Sequence, residues 1–240
     1  MSRPSVLDVR QRICCVAATA VLSMTPFAAE LPVAVPVDHR TIAAMENFLT
    51  RPTFAHQYSA TRHLEASGSG QQGWLNAQTH FTVATGLLYD VTAEGGSGFI
   101  RARVLRSLLE EERKLIARGA SGSVAISRDN YAFTAEGLNE EGLAVVGMRP
   151  LRKERSLIVG RMFLTVDGVL RRVEGRLAKN PSFWVTRVDV VRTYRRINDV
   201  LMPVSLETTA QLRLLGSSTL RMTYRYSQVD ERPVDPSHRE

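Results

Sequence analysis

Apolar and polar residues alternate along most of the second half of the chain, from about residue 142 to residue 229. The pattern is clearest in the last two stretches, where every second residue is mostly apolar and its neighbours are mostly polar. The positions that share this apolar face are Val204, Leu206, Thr208, Ala210, Leu212, Leu220, Met222, Tyr224 and Tyr226. A period of two with one polar face is typical of an antiparallel sheet covered on one side only. The pattern therefore predicts a mainly β fold.

A tight turn sets the register of one strand pair within this region. Asp167-Gly168 is a strong signal for a two-residue hairpin between two apolar strands. If the valines on either side of it pair, Met162 lies opposite Val173 and Arg161 lies opposite Glu174. The second pair brings opposite charges together across the two strands, which supports this register.

The strand before the next turn, Asn198-Asp199, can be placed in two registers, because a shift of one residue exchanges its faces. One register turns inward Trp184, Val188, Val190 and Tyr194. The other turns inward Phe183, Val185, Val191, Arg187 and Asp189. We favour the first, because it buries no charge. An enzyme would find the start of a polar pocket only in the second register, at Arg187 and Asp189.

The first half of the chain combines helices with strands. A helix is predicted over residues 38–49, and a second, amphipathic helix over about residues 99–118. Leu105 and Leu109 belong to the apolar stripe of the second helix. Between the helices, alternation and turn residues predict a three-stranded meander at about residues 58–64, 73–82 and 86–92. The helices must pack onto a sheet face to bury their stripes.

A glycine-rich loop, Gly95-Gly96-Ser97-Gly98, precedes the amphipathic helix. Its backbone amides could reach an anion at the start of the helix, as glycine loops do in phosphate sites. However, no Gly-Lys-Ser/Thr sequence follows, and the preceding strand belongs to a meander. We favour a flexible hinge, which would make the helix a lid over the sheet.

The N-terminal residues have the features of a secretory signal peptide. A basic start is followed by a short apolar core over residues 13–24, and small residues allow cleavage after Ala28 or Ala29. Both cysteines, Cys14 and Cys15, lie inside this segment, so the exported chain would have neither disulfides nor thiol chemistry. We predict a signal peptide at 1–29, one domain at 30–230, a frayed tail at 231–240, and a periplasmic location.

The composition narrows the possible functions. The formal net charge is +7, but basic residues are spread along the strands and do not form one block. This distribution favours solvated strand faces over a nucleic-acid site. No histidine pair has the spacing of metal ligands, and no Gly-x-Ser-x-Gly sequence marks a hydrolase. We therefore predict no enzyme activity, no catalytic residue, no metal site and no cofactor.

The stretch from Arg161 to Tyr226 resembles the LolA/LolB-like superfamily of outer-membrane lipoprotein-sorting proteins. The resemblance lies in a strand ending at Asp167-Gly168, the Val173-Glu174-Gly175 strand, and a long strand pair that turns near Ile197 and ends on Pro203-Val204-Ser205-Leu206-Glu207. It implies a strongly curved antiparallel sheet, a half-open β-barrel, with helices covering the concave face. It also implies that an apolar cavity binds lipid or lipoprotein acyl chains, with only peripheral contact with a membrane.

Two functional hypotheses follow from this resemblance and the strand pattern. In the first, the protein is a periplasmic carrier whose cavity is lined by Leu105, Leu109, Met162, Trp184, Leu206, Met222 and Tyr224. In the second, it is a sensor or interaction module of the cell envelope, which binds a protein partner through the outer sheet face and its arginines. The apolar faces fit either a cavity or an ordinary filled core.

Overall fold

The computed structural model describes residues 38–51, 55–213 and 216–234. The predicted signal peptide and its cleavage site lie outside these residues. The described helices are α1 (His39–Thr50), α2 (Gly98–Ile100), a π-helical turn (Arg101–Leu105), α3 (Arg106–Ala117) and a 3-10 helix (Ala120–Val124). The described strands are β1 (Gln57–Gly68), β2 (Gln71–Thr82), β3 (Gly86–Gly96), β4 (Tyr131–Leu138), β5 (Ala144–Pro150), β6 (Ile158–Leu164), β7 (Leu170–Leu177), β8 (Val185–Ile197), β9 (Val200–Leu212), β10 (Gly216–Val229) and β11 (Arg232–Pro233).

All the described strands belong to one antiparallel sheet, with the order β3-β2-β1-β10-β9-β8-β7-β6-β5-β4 and β11 beside β10. Strands β3 and β4 are the two edges of this order, so the sheet is open. Strand β11 falls within the segment predicted as a frayed tail, where it pairs with Gln228 and Val229. The predicted fold class, an open antiparallel sheet with helices on one face, is confirmed.

The first hairpin has the predicted register, but its turn differs from the predicted one. The backbone N–H of Thr165, not that of Val166, donates to the Val169 carbonyl, and the pairing shifts between Phe163 and Leu164. Met162 pairs with Val173 and Arg161 with Glu174 across the first hairpin. At the second turn Ile197 pairs with Val200, and Asn198 and Asp199 both have positive φ angles, as a tight two-residue hairpin requires.

The favoured register of β8 is confirmed at its centre and wrong at its start. Val188 and Val190 are buried, opposite Ala210 and Thr208 of β9. Trp184, however, precedes the strand and is 60% exposed, edge-on to the ring of Phe183. The alternation fails there because the pairing of β8 with β9 shifts between Val185 and Arg187.

The helices cover one face of the sheet, which we call the covered face. Beneath α1, Ala44 packs into a cluster that includes Met162 and Val173. Residues 98–117, which we call the segmented helix because α2, the π-helical turn and α3 follow one another, pack onto a second cluster through Leu105 and Leu109. Each helix thus covers a different apolar region. Of the described helices, none has the length and apolarity needed to cross a membrane.

Two glycines allow close approach of β6 and β7. Gly160 and Gly175 lie opposite each other in the ladder. A Cβ atom on Gly160 would overlap the carbonyl oxygen of Glu174 and approach the Cα atom of Gly175 to 2.6 Å. Because both obstacles are backbone atoms, a side chain at Gly160 would require the two strands to move apart.

Candidate functional site

Most of the residues predicted to line a cavity meet beneath the segmented helix. Leu105 and Leu109 are fully buried and belong to one cluster with Leu206 and Met222, and Tyr224 packs against that cluster. The structure does not bring the other two residues there. Met162 belongs to the cluster under α1, and Trp184 lies in an exposed loop.

The segmented helix begins at the glycine-rich loop and is irregular there. Gly96 has a φ of +79°, and the Ser97 side chain caps the helix by accepting a hydrogen bond from the backbone N–H of Ile100. The π-helical turn Arg101–Leu105 follows directly. Such turns are rare inside α-helices and are frequent at functional sites. The predicted hinge therefore coincides with a change of helix geometry.

An ion pair joins the segmented helix to the middle of the sheet. Arg62 of β1 is 0% exposed, and its Nη1 and Nη2 atoms donate to the two carboxylate oxygens of Glu112 at 2.6 and 3.1 Å. Nη2 also donates to the Tyr58 hydroxyl at 2.8 Å, and the guanidinium lies 4.8 Å from the centre of the Tyr224 ring. A bidentate pair of this kind fixes the orientation of both side chains.

A second arginine lies on the same face. Arg192 of β8 pairs with Leu206 in the ladder, which places it beside the buried apolar residues of β9. The nearby Tyr194 side chain raises the pKa of Arg192, against the effect of burial, and Tyr224 and Glu112 act in the same direction. Its Nε atom is shielded from solvent and has no hydrogen-bond partner. The register favoured for burying no charge therefore places a half-buried arginine on the covered face.

The surroundings of Arg62, Tyr224 and Tyr58 determine the protonation states of these side chains. Burial is the largest single effect on Arg62 and lowers its pKa, but Glu112, Tyr224 and Tyr58 together raise the pKa by more, so the guanidinium stays charged. Burial raises the pKa of Tyr224 to about 12, and it also raises the pKa of Tyr58. These phenols are therefore neutral hydroxyls at ordinary pH.

These side chains form a continuous polar region that we call the polar seam. Its members are Arg62, Glu112, Arg192, Tyr58, Tyr194 and Tyr224. It lies between the apolar clusters, because Tyr224 packs against the cluster under the segmented helix and Tyr194 against the cluster under α1. The seam holds two guanidinium groups and one carboxylate.

The position of Arg62 could have been read from the alternation, since it shares its strand face with Ala60 and Leu64. An arginine in an alternating strand is normally assigned to the solvent face, so the burial of Arg62 was not predicted. Its partner lies 50 residues further along the chain, on a helix, and no local pattern indicates such a pairing.

Comparison with known proteins finds solved structures of limited similarity. No family model matches the chain, and no curated protein matches it. A DUF1329 family protein from Desulfovibrio piger has a related structure. It has 9% sequence identity and a TM-score of 0.36, and the match covers 79% of this chain and 91% of the other. Similarity at this level assigns neither a family nor a function.

Of the residues that the less favoured register would have gathered, Val185 packs against the cluster under the segmented helix, whereas Phe183 and Val191 are exposed. Arg187 and Asp189 form an exposed ion pair with each other at 2.7 Å. Within the described ranges, no group of three or more His, Cys, Asp or Glu side chains could hold a metal ion.

A basic cleft lies at the end of the sheet where β5 and β7 finish and β8 begins. Its volume is about 480 Å³. Five of its lining residues are basic, and none is acidic: Arg149, Arg152, Lys153, Arg176 and Arg187. Arg152 is paired with Glu154, but Arg149, Lys153 and Arg176 form no ion pair with another described residue.

Proposed function

We propose that this protein is a periplasmic, non-enzymatic carrier or binder of lipid or lipoprotein acyl chains, which enter between the sheet and the segmented helix. The observation that carries the proposal is the way in which the segmented helix covers the apolar face of the sheet. One amphipathic helix buries Leu105 and Leu109 on an apolar sheet face, begins at the glycine-rich loop, and is joined to the sheet by the Arg62–Glu112 pair. Such a helix acts as a lid that closes the face when no ligand is bound.

The energies involved are compatible with exchange between the helix and an acyl chain. Burying a leucine side chain contributes about 2 kcal/mol, and each buried methylene contributes about 0.8 kcal/mol. About five methylenes of an acyl chain would thus offset the loss of the Leu105 and Leu109 contacts. An acyl chain of ordinary length is longer than this, so its burial can drive the displacement.

Two features of the sequence support the periplasmic location and the acyl-chain ligand of this proposal. The N-terminal residues have the features of an export signal. The strand and turn pattern from Arg161 to Tyr226 resembles the LolA/LolB-like superfamily, whose members bind acyl chains or lipoproteins beneath helices. The open sheet covered by helices is the architecture that this resemblance implies.

Native mass spectrometry tests the proposal directly. Protein purified from the periplasm should carry a discrete added mass that organic solvent extracts as lipid, and the stripped protein should take up a fluorescent fatty acid. A clean apo mass together with no uptake of the fatty acid would overturn the proposal.

Leu105→Asp should lower fatty-acid affinity by about tenfold or more, because a carboxylate would face the acyl chain. Ala102→Asp is the matched control, since Ala102 is exposed on the same helix. Circular dichroism should show both variants folded, and Leu206→Gln places a polar group on the sheet side if Leu105→Asp does not fold. Unchanged binding in Leu105→Asp and Leu206→Gln would contradict a site under the segmented helix.

The basic cleft favours a second candidate, an envelope module that binds an acidic protein partner. Its unpaired side chains, Arg149, Lys153 and Arg176, would then carry the contact. Binding through these groups should weaken steeply as salt is added, and it should survive Leu105→Asp. Binding that is insensitive to salt, or lost in Leu105→Asp, would contradict this candidate.

A further inference from the structure

The charges of the polar seam are not balanced. It contains the guanidinium groups of Arg62 and Arg192 but a single carboxylate, that of Glu112. Glu112 binds Arg62 with both oxygens, whereas Arg192 meets phenols and keeps an Nε atom without a partner. Phenols with a pKa of about 12, as at Tyr224, cannot supply the missing negative charge. One positive charge therefore lies against the covered face without a counter-charge of its own.

The only carboxylate of the seam sits on the element that must move. Glu112 belongs to α3, so lifting the segmented helix removes it from Arg62. Both arginines would then lie against an apolar surface without the negative charge of Glu112. This is strongly unfavourable for charged groups. The side chain of Glu112 is 31% exposed, so another anion can approach from the solvent and replace it. Opening of the helix and arrival of an anion are therefore coupled.

We propose that the polar seam binds the anionic head group, a carboxylate or a phosphate, of the amphiphile whose acyl chain occupies the covered face. The ligand oxyanion takes the place of Glu112 on Arg62 and accepts a further hydrogen bond from Nε of Arg192. This inference rests on the proposed carrier function and adds the ligand class to it. Glu112 is, in this arrangement, an internal substitute for the ligand head group.

The covered face supports this placement of the two parts of the ligand. Arg192 pairs with Leu206, and the ring of Tyr224 contacts both the guanidinium of Arg62 and the apolar cluster. A head group held at the seam would thus extend its acyl chain toward Leu105 and Leu109 without leaving the face. A neutral or cationic head group would gain nothing from the two guanidinium groups.

The test compares ligands that have the same unbranched hydrocarbon chain length and differ in the head group. Hexadecanoate, hexadecyl phosphate and hexadecan-1-ol are titrated into the stripped full-length mature protein, at a pH where the acid is ionised, with displacement of a fluorescent fatty acid as the readout. Wild type should bind at least one of the two anions about tenfold or more tightly than the alcohol. The stronger of the two anions identifies the head group as a carboxylate or a phosphate.

Two variants should shift anion binding in opposite directions. Arg192→Gln should weaken anion binding about tenfold and leave alcohol binding unchanged, because it removes one donor and one charge. Glu112→Gln should strengthen anion binding, because it removes the competing carboxylate. Arg221→Gln and Glu111→Gln, at exposed positions, serve as controls and should change neither. A merely structural role would weaken all three ligands alike.

The outcomes separate this inference from the function on which it rests. If the alcohol and both anions bind wild type equally well, the carrier proposal stands and the anion site is wrong. If none of the three binds, both are wrong. If Glu112→Gln weakens anion binding, the exchange of Glu112 for a ligand anion is wrong. Should Arg192→Gln not fold, Arg192→Lys, which keeps the charge but loses the Nε donor, gives the same comparison.

Discussion

Glu112→Gln is expected to lower the free energy of unfolding by about 3 kcal/mol. The substitution keeps the size of the side chain but removes its charge, so it leaves the guanidinium of Arg62 buried without a counter-ion. Breaking one partner of a buried pair is costly because the remaining charge has lost both water and carboxylate. Urea denaturation followed by circular dichroism measures the change.

Glu111→Gln is the matched control. This neighbouring carboxylate is 73% exposed and pairs only with Lys114 among the described residues, so its loss should change stability by less than about 1 kcal/mol. If Glu112→Gln were as stable as this control, water would have to solvate Arg62. The covered face would then be wetter than its fully buried leucines indicate.

Gly160→Ala is expected to be still more damaging, lowering the free energy of unfolding by about 4 kcal/mol. The added methyl group would overlap the Glu174 carbonyl oxygen and crowd Gly175 on the opposite strand. A flexible side chain could turn aside, but backbone atoms cannot, so β6 and β7 would have to separate in the middle of the sheet. Chemical denaturation of the purified variant, or loss of soluble protein, gives the readout.

Gly122→Ala provides the comparison for this effect. A Cβ atom at Gly122 meets no heavy atom within 4 Å, and its backbone has no positive φ angle. The same substitution there should be neutral or slightly stabilising, since alanine restricts the unfolded chain. Wild-type stability in Gly160→Ala would mean that β6 and β7 are further apart than described.

The fold could be predicted largely from local patterns. Alternation and turn chemistry placed Met162 opposite Val173, and helical periodicity placed Leu105 and Leu109 on the buried stripe. These features depend on residues close together in sequence, where a period of two or of 3.6 decides which side faces the core. Trp184 was misplaced because the alternation was continued past the start of its strand.

The polar seam could not be predicted in the same way. Arg62 and Arg192 were hidden by the expectation that arginines in a strand face solvent. That expectation fails only where a partner from another element supplies a charge or a hydrogen bond. Tyr58 and Tyr194 lie in the same strands as the arginines, but Glu112 and Tyr224 come from distant parts of the chain, and tertiary structure alone brings these two to the seam. Local patterns therefore locate the apolar site but not its polar centre.

The place of β1 beside β10 has a consequence for how the protein is made. Synthesis proceeds from the N-terminus, so β1 to β3 are complete while β10, the last long strand, does not yet exist. From β4 onward each strand pairs with the strand before it, so β4 to β9 can pair with one another before β10 is present. Until β10 arrives, β1 presents a row of unpaired backbone groups, an edge that another nascent chain can occupy. The two halves become one sheet only when β10 is present and the non-local pairing of Tyr58 with Val229 is available.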